Sequence, residues 1–122
     1  MSDLPPAVQQ AVAEHSKGAT LRGLSTETTD GQRVYEAELQ VNGRTKDVTF
    51  DATGAVVSLE EEIAIDQIPA GARAAIEKTT GNGKVRRVEA VTRKGTTYYE
   101  AQIRKGGRNS EVKVTASGET VR

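Results

Sequence analysis

The chain has 122 residues, of which 35 % are hydrophobic and 3 % aromatic, with 17 basic and 17 acidic side chains and no cysteine. That size allows one ordinary domain, or two very small units sharing a thin aliphatic core. It excludes disulfide and thiolate chemistry, and the longest apolar stretches fall far below the ~20 residues of a membrane span. The zero net charge conceals a division: residues 1–64 carry 5 Lys/Arg against 11 Asp/Glu and residues 65–122 carry 12 against 6, so −6 is followed by +6.

Leu4, Val8, Ala11 and Val12 recur at i, i+4, i+7 and i+8, which is one face of a helix. The spacing predicts a helix over 4–16, with Pro5 near its first turn and Gly18 as its stop. The period then falls to two. Leu21 and Leu24 stand three apart, which breaks strict alternation and predicts a β-bulge or bend in the first strand. Asp30-Gly31 and Asn42-Gly43 carry the residues of type I′ hairpin turns, in which both central positions need positive φ. Between them Tyr35, Ala37, Leu39 and Val41 alternate with Val34, Glu36, Glu38 and Gln40, so the helix should cover the apolar side. Thr53-Gly54 marks a third turn, and a fourth strand should run through "VVSLEEEIAI" into a second helix with little linker.

From there the pattern repeats at an offset of 64 residues without an insertion. Ile68, Ala72, Ala75 and Ile76 predict a helix over 68–80 ended by Gly81. Val85 and Val88 repeat the three-residue spacing, and Lys94-Gly95, Gly106-Gly107 and Ser117-Gly118 repeat the turns. Tyr35, Glu36 and Ala37 recur as Tyr99, Glu100 and Ala101. The expected fold is α+β: two tandem helix-plus-four-stranded antiparallel meander repeats, 1–64 acidic and 65–122 basic. Together they should form one structural domain, with a larger sheet of about eight strands and both helices on one face.

The strings "LPPAV", "DG", "YEAEL", "NGR" and "VTFDATGAVV", repeated as "IPAGA", "YYEAQI", "GGR" and "VKVTASGETV", resemble the PepSY-like, beta-lactamase-inhibitor-like family over nearly the whole chain. The resemblance implies a tandem arrangement with helices on one sheet face and the other face free. It also implies export from a bacterial cell and a role in restraining or modulating an exported peptidase or other enzyme. The start "MSDLPPAVQQ" lacks the basic and apolar regions of a signal peptide. The expected location is therefore periplasmic or secreted if a leader has been removed, and cytoplasmic otherwise.

Enzyme chemistry finds little support. The single histidine, His15, is matched by Thr79 in the second copy and suits a helix C-terminus, where a cation is favourable. No zinc site, P-loop or dinucleotide motif occurs, so no metal and no cofactor is assigned. Glu36 and Glu100 recur in both copies, but their alternation places them on a solvated strand face. The basic half offers Arg86, Arg87, Arg93, Lys94, Arg104, Lys105 and Arg108, yet the equally acidic half disfavours nucleic acid. The expected function is a non-catalytic module binding a protein partner through the uncovered face. Its candidate contacts are Tyr98, Glu36, Glu38, Glu100, Gln102 and Arg104, on the face where the copies differ most. Two other classes are compatible: a small-ligand or cation-binding periplasmic protein, and a structural module that self-associates in a salt-sensitive way.

Overall fold

The computed structural model describes residues 4–121. Among them the chain runs α1 (Pro6–His15), β1 (Thr20–Thr29), β2 (Gln32–Val41), β3 (Arg44–Phe50) and β4 (Val56–Glu62). A 3-10 turn at Ile65–Gln67 leads to α2 (Ala70–Thr80), β5 (Lys84–Arg93), β6 (Thr96–Lys105) and β7 (Arg108–Val114). The strands form a seven-stranded antiparallel sheet whose spatial order is the chain order, which gives the α+β fold expected. An eighth strand is present among the described residues only as the bridge between Val114 and Thr120.

The chain divides into two compact units, Met1–Glu60 and Glu61–Arg122, so the border falls inside β4, four residues ahead of the one read from the repeat. Each unit has its own apolar cluster, not a share in a common one. In the first unit Val8 and Val12 of α1 pack on Tyr35, Ala37, Leu39, Val48 and Phe50. In the second, Ile68, Ala72 and Ile76 pack on Val88, Ala101, Ile103 and Val114, with Tyr99 half-buried at the margin. Each fully buried aliphatic side chain contributes about 1.5–3 kcal/mol. The ring of His15 stacks edge-on against Phe50, with centroids 5.2 Å apart.

Both helices start two residues later than their periodicity suggests, because Pro5 and Pro69 are caps with ψ 145° and not helical residues. A proline also biases the residue before it toward extended backbone, as Ile68 shows at φ −88°, ψ 163°. At the other end Ser16 Oγ and Thr80 Oγ1, equivalent by the offset, each donate to a carbonyl four residues back, those of Val12 and Ile76, at 2.6 Å. Each hydroxyl thereby finds its partner inside its own helix end, and the Val12 carbonyl accepts Ser16 N as well, at 2.9 Å.

The hairpins take the predicted form. Asp30, Asn42 and Lys94 have φ of 50–53° and are followed by glycines at 77–79°, so both central residues lie in the left-handed region, as a type I′ turn demands. The two bulges also occur where the spacing placed them. The β1–β2 register shifts between Leu21 and Gly23, and the β5–β6 register shifts between Val85 and Arg87. The inserted residues are Arg22 and Arg86. Beyond them Leu24 pairs with Ala37 and Val88 with Ala101, which returns the apolar side chains to the helix-covered face.

A third kind of turn clamps each helix to its sheet. Asp51 Oδ1 accepts hydrogen bonds from Thr53 N (2.9 Å), Thr53 Oγ1 (2.5 Å) and Ala55 N (3.2 Å). At the matching place in the second unit Thr115 Oγ1 accepts from Glu119 N at 3.1 Å. The turn brings Gly54 (φ 85°) and Gly118 (φ 95°) so close to the first helical turns that an added Cβ would lie 2.7 Å from Ala7 O and 2.6 Å from Gly71 O. Gly54→Ala or Gly118→Ala should each lower stability by about 1–3 kcal/mol in urea unfolding, from backbone strain and loss of this approach. Gly31→Ala, where nothing lies within 4 Å, should cost less. Equal losses at all three would show that the contact with the helix contributes nothing.

Candidate functional site

The face of each sheet turned away from its helix carries the candidate residues, in two patches, one per unit. In the second unit Tyr98, Glu100, Gln102 and Arg104 alternate along β6 with Tyr99, Ala101 and Ile103, which point into the core. The two-residue turns fix what stands beside each. Glu100 is opposite Glu89 on β5 and Lys113 on β7, Gln102 is opposite Arg87 and Glu111, and Arg104 is opposite Lys84 and Asn109. In the first unit Glu36 lies between Ser25 and Thr49, and Glu38 between Gly23 and Asp47.

Neighbouring strands hold these side chains in place. Gln102 Nε2 donates to Glu111 Oε2 at 2.7 Å, and Arg104 Nη1 donates to Asn109 Oδ1 at 2.9 Å. Lys113 Nζ sits 5.8 Å from the centre of the Tyr98 ring and 3.8 Å from Glu111 Oε1. A cation over an aromatic face at this distance contributes about 0.5–1 kcal/mol. Arg87 Nη2 meets Glu89 Oε2 at 3.4 Å. Tyr98 is half-buried, not fully open as its alternation suggested, because the Lys113 side chain lies across it. Glu89, Glu111, Lys113 and Asn109 were absent from the candidates read in the sequence. The turn positions would have supplied them, since Arg93 opposite Thr96 determines every β5–β6 pair as far as the bulge and Lys105 opposite Arg108 every β6–β7 pair.

Glu36 and Glu100, equivalent by the 64-residue offset, shift in the same direction. Burial is the main influence raising Glu36 above its ordinary value, and the charges of Asp47, Glu38, Glu27 and Glu60 add to it. Glu100 is pushed up from 4.5 to about 7. Burial is again the main cause, followed by a hydrogen bond with the Glu111 carboxyl and the charge of Glu111, opposed by Lys113, with a last increment from Glu89. Glu100 is also the less exposed of the two carboxyls. Asp51 moves the other way, held below its ordinary value first by the hydroxyl of Thr53.

Chemically the patch offers hydrogen-bond donors, a carboxyl that exchanges its proton near neutrality, an aromatic face and cations. Among the described residues no three His, Cys, Asp or Glu side chains are grouped as a metal site would require. Among the same residues no helix is long and apolar enough to cross a membrane.

The position of Glu100 has a consequence for stability. From about pH 4.5 to about 7 the folded chain retains a proton at Glu100 that the unfolded chain has released. This contribution is complete below the unfolded value and is lost as pH rises through the folded one. The melting temperature should therefore drop between about pH 5 and about pH 8, and Glu100→Gln should make the drop shallower. An equally steep profile in the variant would rule out Glu100 as its source.

No protein-family model and no curated protein matches the chain. Solved structures do match in fold. A BLIP-like protein from Bacteroides fragilis superposes with a TM-score of 0.70 at 22 % identity, covering 98 % of this chain and 84 % of that one. A protein from Bacteroides eggerthii named "putative periplasmic" gives a TM-score of 0.78 at 22 % identity, covering 98 % and 86 %. A DUF2874 family protein from Bacteroides ovatus gives 0.73 at 20 % identity, covering 98 % and 85 %. The chain thus shares the fold of BLIP-like and DUF2874 proteins.

Proposed function

We propose that the chain is a non-catalytic protein-binding module, an inhibitor or modulator of an exported enzyme, and that it binds through the strand face opposite its helices. The observation that carries this reading is the order of the β6 patch. Tyr98 is held under Lys113, Gln102 by Glu111 and Arg104 by Asn109, so a partner meets side chains whose rotamers are already restricted. Such preorganisation reduces the entropy lost on binding, and tyrosine and arginine are among the residue types enriched in interface hot spots.

The BLIP-like description of one structural neighbour and the periplasmic description of another support the same direction, toward a protein partner outside the cytoplasm. The PepSY-like reading and the tandem duplication draw their support from the 64-residue register and from the matched bulges, turns and helix ends. Each unit contributes a patch of its own to the proposal, Glu36 and Glu38 an acidic one, and Tyr98, Glu100, Gln102 and Arg104 a mixed one.

Purified chain on a support, exposed to envelope proteins of its source cell, should retain a partner. Tyr98→Ala and Arg104→Ala should each weaken that capture about tenfold or more, roughly 1.4 kcal/mol, with the melting temperature unchanged. Capture that persists in both variants while their melting temperatures fall would assign these side chains to stability and defeat the proposal.

A further inference from the structure

The bulge in β5 borders a recess that the first unit's side chains would line differently. Arg86, the inserted residue, lines an open recess of about 480 Å³ together with Gln102, Ile103, Arg104 and Asn109. The recess lies at the end of β6, where Lys84 pairs with Arg104. Among the described residues the guanidinium of Arg86 makes no hydrogen bond and no ion pair. Arg104 is aimed by its hydrogen bond to the Asn109 oxygen, which is neutral and leaves the charge of Arg104 uncompensated. The nearest carboxylate along the strand, Glu111, is engaged by Gln102 Nε2 and Lys113 Nζ.

The first unit supplies an internal comparison. Its bulge also inserts an arginine, Arg22, but the surrounding positions differ. Glu38 stands where Gln102 stands, and its Oε2 lies 3.4 Å from where a Cβ on Gly23 would be. Gln40 occupies the place of Arg104, Thr45 that of Asn109 and Gly23 that of Arg87. The first unit therefore carries a carboxylate opposite the residue that follows its bulge, although Arg22, like Arg86, makes no ion pair among the described residues. The other replaces that carboxylate with an amide and adds a second guanidinium. Two guanidiniums left facing one recess repel each other, and a planar or tetrahedral oxyanion relieves this by accepting paired N–H bonds from both.

We infer that the Arg86–Arg104 recess is a binding site for an oxyanion, and that its occupant is a carboxylate on an acidic segment of a protein partner. The second part rests on the protein-binding reading of the same strand; the first part does not. Bulges recur beside binding sites because the extra residue redirects a side chain, and here the residue redirected, Arg86, shares its recess with a second arginine, Arg104.

The test uses the 15N-labelled full chain and two probes, an acetylated and amidated tetraglutamate peptide and inorganic pyrophosphate, followed by NMR. The peptide should shift the signals of Arg86, Arg104 and Asn109 saturably, with a Kd in about the millimolar range or below. Arg86→Glu and Arg104→Glu should each weaken this about tenfold or more, and Arg22→Glu in the first unit should leave it unchanged. All three side chains are solvent-exposed, and retained dispersion of the spectra checks that the fold survives. Saturation by pyrophosphate but not by the peptide would keep the oxyanion site and overturn the peptide carboxylate as its occupant. Unsaturable shifts spread over every Lys and Arg, or binding that survives both reversals, would overturn the site itself. Partner capture lost in Tyr98→Ala but intact in Arg86→Glu would overturn the inference and leave the protein-binding proposal standing.

Discussion

The two-residue turn is the constraint on which the rest depends. With both central residues at positive φ, a type I′ turn twists in the same sense as its flanking strands and permits one register only. Because side chains alternate with a period of two, that register decides at once which residues face the helix and which face away. A slip by one residue would turn Ala37, Leu39, Ala101 and Ile103 outward and place Glu36, Glu38, Glu100 and Gln102 against the helices. Burying those carboxylates and amides without partners would cost more than so small a core returns.

The bulges extend the same logic. A strand that must begin near the end of its helix and still deliver Leu24 or Val88 to the core has one residue too many, and the bulge absorbs it. The residue absorbed is an arginine in each unit. Core packing therefore determines where an exposed cation of each unit appears. The clamp turns at Asp51 and Thr115 perform a comparable service for the helices, closing each helix's first turn onto the sheet through a glycine.

On the outward face the two units use one scaffold for different electrostatics. The first concentrates carboxylates around Glu36, and their mutual repulsion reinforces the effect of burial. The second mixes signs, so that Lys113 serves Tyr98 and Glu111 together, Arg87 serves Glu89, and Arg86 and Arg104 remain unneutralised. Cross-strand pairing on a half-buried surface gives these contacts order at little entropic cost, since the strands are already fixed by the packing beneath them.

Much of this was legible in the sequence. The helical face of Val8 and Val12, the Asp-Gly and Asn-Gly turns, the broken alternation at Leu21 and Val85 and the inward direction of Tyr35 all follow from local stereochemistry and periodicity, which act within a few residues. Helix starts were less legible, because Leu4 and Ile68 fit the apolar period yet lie ahead of the proline caps. The half-burial of Tyr98, the proton held by Glu100 and the recess at Arg86 were beyond it. Each arises from residues on adjacent strands, Lys113, Glu111 and Asn109, whose separation along the chain says nothing of desolvation or charge at close range. The linear chain by itself determined the pleat, the turns and the side of the sheet on which each residue lies. Tertiary structure alone decided which charges meet, how deeply they are buried and which are left over, because those depend on distance through space.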